Sequence, residues 1–417
     1  MKYPTTATIL TSLFLITGCT GSPTAATAND SPLAKMDKTA WAQAGLMEDP
    51  ATGLITRAPG AEPTAAQRNQ IDNMRYGMFI HFGINTFVDQ EWTDGSVPIE
   101  KYAPKEIAAE EWVLAAKNAG MSHVVLICKH HDGFCLWPTK RDDVKYSVAH
   151  SSNKTDVVKA VSEACKKHGV RFAVYYSLWD RRWDAKNAEL IKRDPAAANK
   201  AYTDYMISQL KELMTNYGPV TELWFDGSWA RKTNDNAKTP QTGRWSWDLD
   251  LVYDAVKRLQ PQCQISTNWT IGHPGYNRQV MLPPGNQAEG FPIQYFPSDF
   301  RLGDPFLPKT PDPKVFTRNG EKFYLPFEST VCMNKNWFWS AGDKTIKSVD
   351  ELEKLYRTAT AQDNTLLLNC PPGRDGRMRP ENVARLAELR ERLGLKVGGP
   401  FPPRAQKNEQ GQTLGKK

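Results

Sequence analysis

From about residue 68 the chain alternates short apolar runs with longer amphipathic ones, and this alternation constrains its fold more than any other feature. Apolar runs occupy 76–84, 123–129, 171–178, 221–225, 263–268, 322–327 and 364–369. Helical periodicity covers 107–118, 155–168, 196–217, 248–259, 349–362 and 381–393. Gly120, Gly169 and Gly218 close three of these helices, the expected C-terminal stop. Strands alternating with helices argue for a parallel sheet. The number of units predicts an α/β fold, an imperfect (β/α)8 TIM-like barrel. An open doubly wound sheet is the alternative, but no glycine-rich dinucleotide loop follows the first strand. Residues 269–321, rich in Pro, Gly and Asn, read as a long excursion from the barrel.

The ends of the chain read differently. Lys2, an apolar stretch over 9–16 and the sequence Leu15-Ile16-Thr17-Gly18-Cys19 predict a lipoprotein signal peptide over 1–19, with Cys19 as the lipid-bearing N-terminus. Residues 20–45 read as a flexible tether, 46–395 as the catalytic barrel, and 396–417 as a polar, disordered tail. The expected location is therefore outside the cytoplasm, on a bacterial membrane (periplasm or cell surface). Net charge is +7, but 53 basic and 46 acidic residues are interspersed, so nucleic-acid binding has little support. The six cysteines after Cys19 show no paired metal-ligand spacing and read mostly as small core residues.

Polar groups stand at the ends of the strand-like runs. Thr221-Glu222-Leu223-Trp224-Phe225-Asp226-Gly227 places a carboxylate at the C-terminal end of an apolar strand, where a parallel barrel opens. Trp224 lowers the local dielectric, and Gly227 permits a sharp exit. His81 is the one polar side chain inside Gly77–Gly83. His130 and His131 follow the second run; adjacent strand residues point to opposite faces, which disfavours a shared metal ion. Of the third run's tyrosines, Tyr176 lies nearer the end and is the better site candidate. Imidazoles, a phenol, indoles and a carboxylate on successive strand ends suit a polyhydroxylated ligand.

The segments YGMFIHFG (76–83), Glu91-Trp92, EEWVLAAKNAG (110–120), KHHDGFCLWPTK (129–140), RFAVYYSLWD (171–180), TNYGPVTELWFDG (215–227) and NTLLLNCPP (364–372) resemble the α-L-fucosidases of glycoside hydrolase family 29. The resemblance runs from about 68 to 395. It implies a retaining exo-α-L-fucosidase working through a covalent fucosyl-enzyme, without metal or organic cofactor, on fucosylated oligosaccharides or glycoconjugates. By the same resemblance Asp226 is the nucleophile, and His81, His130 and His131 hold fucose hydroxyls. Glu91, Trp92 and Tyr176 line the pocket, and Trp224 forms its floor. Phe79, Phe134 and Trp337 are candidates for the niche that takes the sugar's methyl group. Many members continue into a C-terminal β-sandwich, which is not evident in this sequence.

A retaining glycosidase needs a second carboxyl about 5–5.5 Å from the nucleophile. Glu289, on the long excursion, is the first choice for this acid/base. Glu328, read as ending a strand, is the alternative, either as acid/base or as a substrate contact; Asp299 and Asp304 follow. The rival readings are another glycosidase specificity on the same barrel, a non-catalytic glycan-binding lipoprotein, and a metal-dependent hydrolase using His81, His130 and His131.

Overall fold

The computed structural model describes residues 32–230, 247–275, 281–402 and 404. The signal segment and Cys19 lie outside them. Eight parallel strands form one sheet: β1 (Tyr76–Ile80), β2 (His123–Lys129), β3 (Arg171–Ser177), β4 (Glu222–Asp226), β5 (Gln264–Thr267), β6 (Arg301–Gly303), β7 (Phe327–Cys332) and β8 (Thr365–Asn369). Their spatial order is β5-β4-β3-β2-β1-β8-β7-β6. The two edges meet through a parallel bridge between Asn268 and Leu302 and a bond from the Asp299 amide to the Ile265 carbonyl (2.7 Å), which brings the sheet close to a closed barrel.

Strands buried on both faces read as continuous apolar runs, which is why the sequence located them so well. One face fills the barrel with Phe79, Val125, Ile127, Ala173, Tyr175, Trp224, Leu302 and Leu367. The other packs against helices α1 (Ala65–Asn73), α2 (Ala109–Asn118), α3 (Val157–His168), α4 (Pro195–Asn216), α5 (Leu249–Leu259), α6 (Val349–Ala359) and α7 (Pro380–Leu393). Local chemistry sets their ends. Asp156 caps α3 by accepting from the Lys159 amide at 2.9 Å, and Gly169 ends it in the left-handed conformation at φ 67°. Thr64 with Gln67, and Ser348 with Glu351, form capping boxes on α1 and α6.

The barrel is imperfect on one side. Among the described residues no α-helix separates β5 from β6 or β6 from β7. A long loop fills the first gap, and an antiparallel hairpin, Val315–Arg318 with Glu321–Tyr324, fills the second. The run expected at 322–327 therefore divides. Its first part is a hairpin arm, and the barrel strand begins only at Phe327. Strand β6 escaped notice because it is three residues long and flanked by Asp299 and Asp304, so it has no apolar run.

The expected tether and tail are partly structured. Lys38–Ala44 is a helix capped by Asp37, followed by a ribbon of Leu46–Glu48 with Ile55–Arg57. Arg57 anchors that ribbon through an ion pair with buried Asp299 at 3.3 Å. At the other end, Phe401 lies under the Arg75 guanidinium, and Arg404 donates to the carbonyls of Ile71, Thr360 and Asn364. Residues 405–417 lie outside the described part. No helix among the described residues is long and apolar enough to cross a membrane.

Candidate active site

Alternation along β4 turns Trp224 and Asp226 toward the axis and Leu223 and Phe225 outward. Gly227 then leaves the strand at φ 76°; a Cβ there would stand 2.7 Å from that of Trp179 and 3.1 Å from His131 Nδ1. Only glycine fits this exit. The Asp226 carboxylate is 9% exposed. Its Oδ1 accepts from the Asn268 amide at 3.0 Å and its Oδ2 from the Tyr175 hydroxyl at 3.0 Å. Burial raises the Asp226 pKa, and these bonds, with one from the Gly227 amide, oppose the rise.

Register places Tyr175 beside Trp224, and the two rings stack with centroids 5.4 Å apart. Tyr175 is thus the phenol of the site. Tyr176 points the other way, donating to Gln209 on α4 at 2.6 Å and accepting from Lys129 at 2.8 Å. The sequence offered two adjacent tyrosines, and only pairing with β4 settles which faces inward. Phe134 is likewise displaced: it packs on Tyr102 and Tyr146 in the outer core, whereas Phe79 and Trp337 stand beside His81.

The histidine pair departs from simple alternation because the β2–β3 register shifts between Ile127 and Lys129. Lys129 turns outward to pair with Asp180 at 3.0 Å. Both following imidazoles then gather at the mouth, with ring centroids 4.1 Å apart. His131 Nε2 is 3.6 Å from Asp226 Oδ2, and His130 stacks over Tyr175. His81 Nδ1 lies 2.7 Å from Asn369 Oδ1, whose amide nitrogen donates to the Trp337 carbonyl. That fixes the proton on His81 Nδ1 and leaves Nε2 as an acceptor. Similarly, Ser177 donates to the Trp179 carbonyl, so His131 donates from Nδ1 to Ser177 Oγ at 2.6 Å. Burial pushes His81 and His131 down to about 3 and His130 well below its usual value, so all three are neutral at pH 7.

Across the mouth, Asp304 follows β6 directly. Burial, then the nearby charges of Asp226 and Glu91, push its pKa well above the usual carboxylate range. Its backbone amide donates to Asn268 Oδ1 at 3.3 Å. Glu91 accepts from the Trp337 amide at 3.0 Å, and burial raises its pKa to about 7. Trp92, 47% exposed, stacks on Trp229 at 6.0 Å and meets His131 edge-on at 5.0 Å. The result is a polar pocket floored by Trp224 and walled by indoles.

The model of the family described as alpha-L-fucosidase matches residues 91–395. The chain belongs to the α-L-fucosidase family. Alpha-L-fucosidase 1 of Arabidopsis thaliana is 29% identical over 326 residues, covering 75% of this chain and 57% of that protein. The chain thus spans little more than half the length of that relative. A crystal structure of a glycoside hydrolase 29 family member from an unknown rumen bacterium superposes with a TM-score of 0.61 at 27% identity, covering 81% of this chain and 58% of the other. The fold also matches Lactobacillus casei AlfC in complex with α-L-fucose product, at 22% identity and a TM-score of 0.55, covering 78% and 97% of the two chains.

The two carboxylates ranked first as partners of Asp226 are elsewhere. Glu289 is exposed, and its oxygens accept from the backbone amides of Lys314 (2.7 Å) and Val315 (2.8 Å), pinning the start of the hairpin. Lys314 in turn bonds Asn364, just before β8, so Glu289 sits toward the closed end of the barrel. Glu328 is the second residue of β7 rather than the end of a strand, and it lies beside Glu222, the first residue of β4. Four residue steps along the strand separate Glu222 from Asp226, roughly 13 Å. Asp299 is held by Arg57, Lys257 and Tyr253 and does not reach the mouth.

The metal-capable grouping among the described residues is also at the closed end: His123, Glu222 and Glu328 offer ligand atoms within 4.8 Å of one another. The His123 ring fills the space where a Cβ on Gly77 would stand, 2.3 Å away. The three mouth histidines are not such a group. All six described cysteines are free, with Cys332 half-buried and the rest buried. Sequence reasoning missed Asn268, Asn369 and Ser177, which act through side-chain pairing across strands and carry no motif of their own.

Proposed function

We propose that the protein is a retaining exo-α-L-fucosidase in which Asp226 is the nucleophile and Asp304 the acid/base. The observation that carries this reading is a buried carboxyl and a half-buried one at one strand-end rim with opposite surroundings. Asp226 receives hydrogen bonds that favour its ionised form, while Asp304 is held protonated by burial and by its acidic neighbours.

An Asp226 oxygen attacks C1 of a terminal α-L-fucose as the C1–O bond to the leaving sugar breaks. Asp304 gives its proton to that oxygen, and a fucosyl ester remains. Its own neighbour having lost its charge, Asp304 then takes a proton from water. The water oxygen bonds C1, and the ester bond breaks with its electrons returning to Asp226. Neutral His81, His130 and His131 present ring nitrogens to fucose hydroxyls, and Phe79 with Trp337 offers an apolar wall to the methyl group. Fucosylated oligosaccharides or glycoconjugates are the substrate class, and no metal is assigned a step.

Hydrolysis of an aryl α-L-fucoside, followed by NMR for the first anomer released, tests the reading. Release of α-L-fucose first is expected; β-L-fucose first, or activity abolished by chelator, sinks it. We further propose export and lipid anchoring at Cys19. Detergent partitioning of the full chain against Cys19→Ala tests this, and equal partitioning refutes it.

A further inference from the structure

We propose that Asn268 is a positioning residue whose single neutral amide binds the Asp226 carboxylate on one side and the Asp304 backbone on the other, and keeps the protonation states of the two acids apart. The inference rests on the proposed roles of Asp226 and Asp304. Asn268 is fixed from every side. Its backbone N–H donates to the Phe225 carbonyl at 2.8 Å, and its backbone carbonyl accepts from Ser228 Oγ at 3.2 Å. It bridges to Leu302 across the barrel seam. The next residue, Trp269, turns away at φ 64° with its ring against Phe306.

The side chain has one workable orientation. Nδ2 donates to Asp226 Oδ1 at 3.0 Å, and Oδ1 accepts from the Asp304 backbone amide at 3.3 Å. A flipped amide would set oxygen against a carboxylate and N–H against N–H. The groups facing Asp226 are Tyr175 from β3, His131 from β2, Asn268 from β5 and Asp304 from β6. Asp304 faces Asp226 and Glu91, and the Cys332 thiol of β7 lies near Asp304 and Glu91. Among the described residues no cation belongs to this group. A lysine or arginine at 268 would favour ionisation of both acids and strip Asp304 of the proton it must donate. An aspartate there would favour protonation of both and silence the nucleophile. A neutral amide donates to one carboxylate and grips only the backbone of the other, so the separation survives.

The test is the near-isosteric Asn268→Asp, with Asn268→Ala beside it, assayed on an aryl α-L-fucoside from pH 4 to 9. Losing a hydrogen bond to a buried charge should lower kcat by about 10- to 100-fold in both, with KM changed by less than about threefold. In Asn268→Asp alone, the acidic limb of kcat/KM should move upward by roughly one pH unit. A kcat within twofold of wild type in Asn268→Asp, with a superimposable pH profile, overturns the proposal. Thermal stability supplies a readout independent of the reaction. A third carboxyl in the cluster must make Tm fall more steeply between pH 5 and pH 8 than in wild type. Parallel Tm curves overturn the proposal even if wild type proves inactive on fucosides, a result that by itself would refute only the assigned reaction. Failure of both variants to fold at pH 5, where added acid is neutral, would also overturn it by reducing Asn268 to a structural role.

Discussion

The two ends of the barrel hold nearly the same chemical inventory. At the mouth stand Asp226, Asp304 and three histidines; at the closed end stand Glu222, Glu328 and His123, all buried. At the closed end the two glutamates face each other: burial raises Glu222 to about 7 against the hydrogen bonds from Glu328 and Gln70, while burial and then the Glu222 charge push Glu328 well above the usual carboxylate range. Gln70 of α1 donates to Glu222 and Thr365 to Glu328. At the mouth each acid has its own environment, with Asn268 bonded to the carboxylate of Asp226 and only to the backbone of Asp304, and the exposed Trp92 stands at the rim. Carboxyl count therefore does not make a site here. Distinct surroundings and access do.

The sharpest way to break this comparison is to remove one acid from the mouth. Asp226→Ala should lower kcat by roughly 10⁴-fold or more on any fucoside, measured against a wild-type blank. Retention of even a tenth of the rate would end the assignment of the nucleophile. Asp304→Ala should lower kcat/KM by about 10²- to 10⁴-fold on substrates with poor leaving groups. With an activated aryl fucoside, added azide should restore turnover and yield fucosyl azide. Recovery in Glu289→Ala or Glu328→Ala instead would move the acid/base role to that residue.

These predictions separate what the sequence carried from what only packing could supply. Strands β1 to β5 and β8 were legible because strands covered on both faces leave long apolar runs. Asp226, His81, His130 and His131 were legible because each is a polar group at the end of such a run. Asp304 was ranked low because β6 is too short and polar to register as a strand, so its end could not be recognised as a rim position. Glu328 was misjudged by one strand boundary: shifting the run from 322–327 to Phe327–Cys332 carries the residue from the rim to the opposite end. Tyr175 and Tyr176 illustrate a different limit, since facing is set by the partner strand and not by the strand's own residues.

Glu91 sharpens the mouth's side of the comparison. On the proposed roles, activity requires Asp226 ionised and Asp304 protonated, so it falls as pH drops through the first pKa and as pH rises through the second. An ionised Glu91 raises Asp304 further. Glu91→Gln should therefore move the alkaline limb of kcat/KM to lower pH, by roughly one unit, while leaving the acidic limb in place. An unshifted alkaline limb would show that Glu91 does not act on the acid/base.

The smallest effect on catalysis is expected from the closed end, where Glu328→Gln isolates structure from function. Glu222 rises from 4.5 to about 7 on folding. A folded-state pKa above the unfolded value gives stability that is complete below about pH 4.5 and is lost as pH climbs through 7. Replacing Glu328 by an amide removes the competing acid and offers Glu222 a neutral donor. Tm of Glu328→Gln should therefore change less between pH 5 and pH 8 than that of wild type, with the gain over wild type greatest at pH 8. The activity at pH 5 should stay within about threefold, because the pair lies roughly 13 Å along the strand from Asp226. A variant with the wild-type Tm slope but a hundredfold lower kcat would invert the comparison, making the closed end part of the reaction and the mouth insufficient alone.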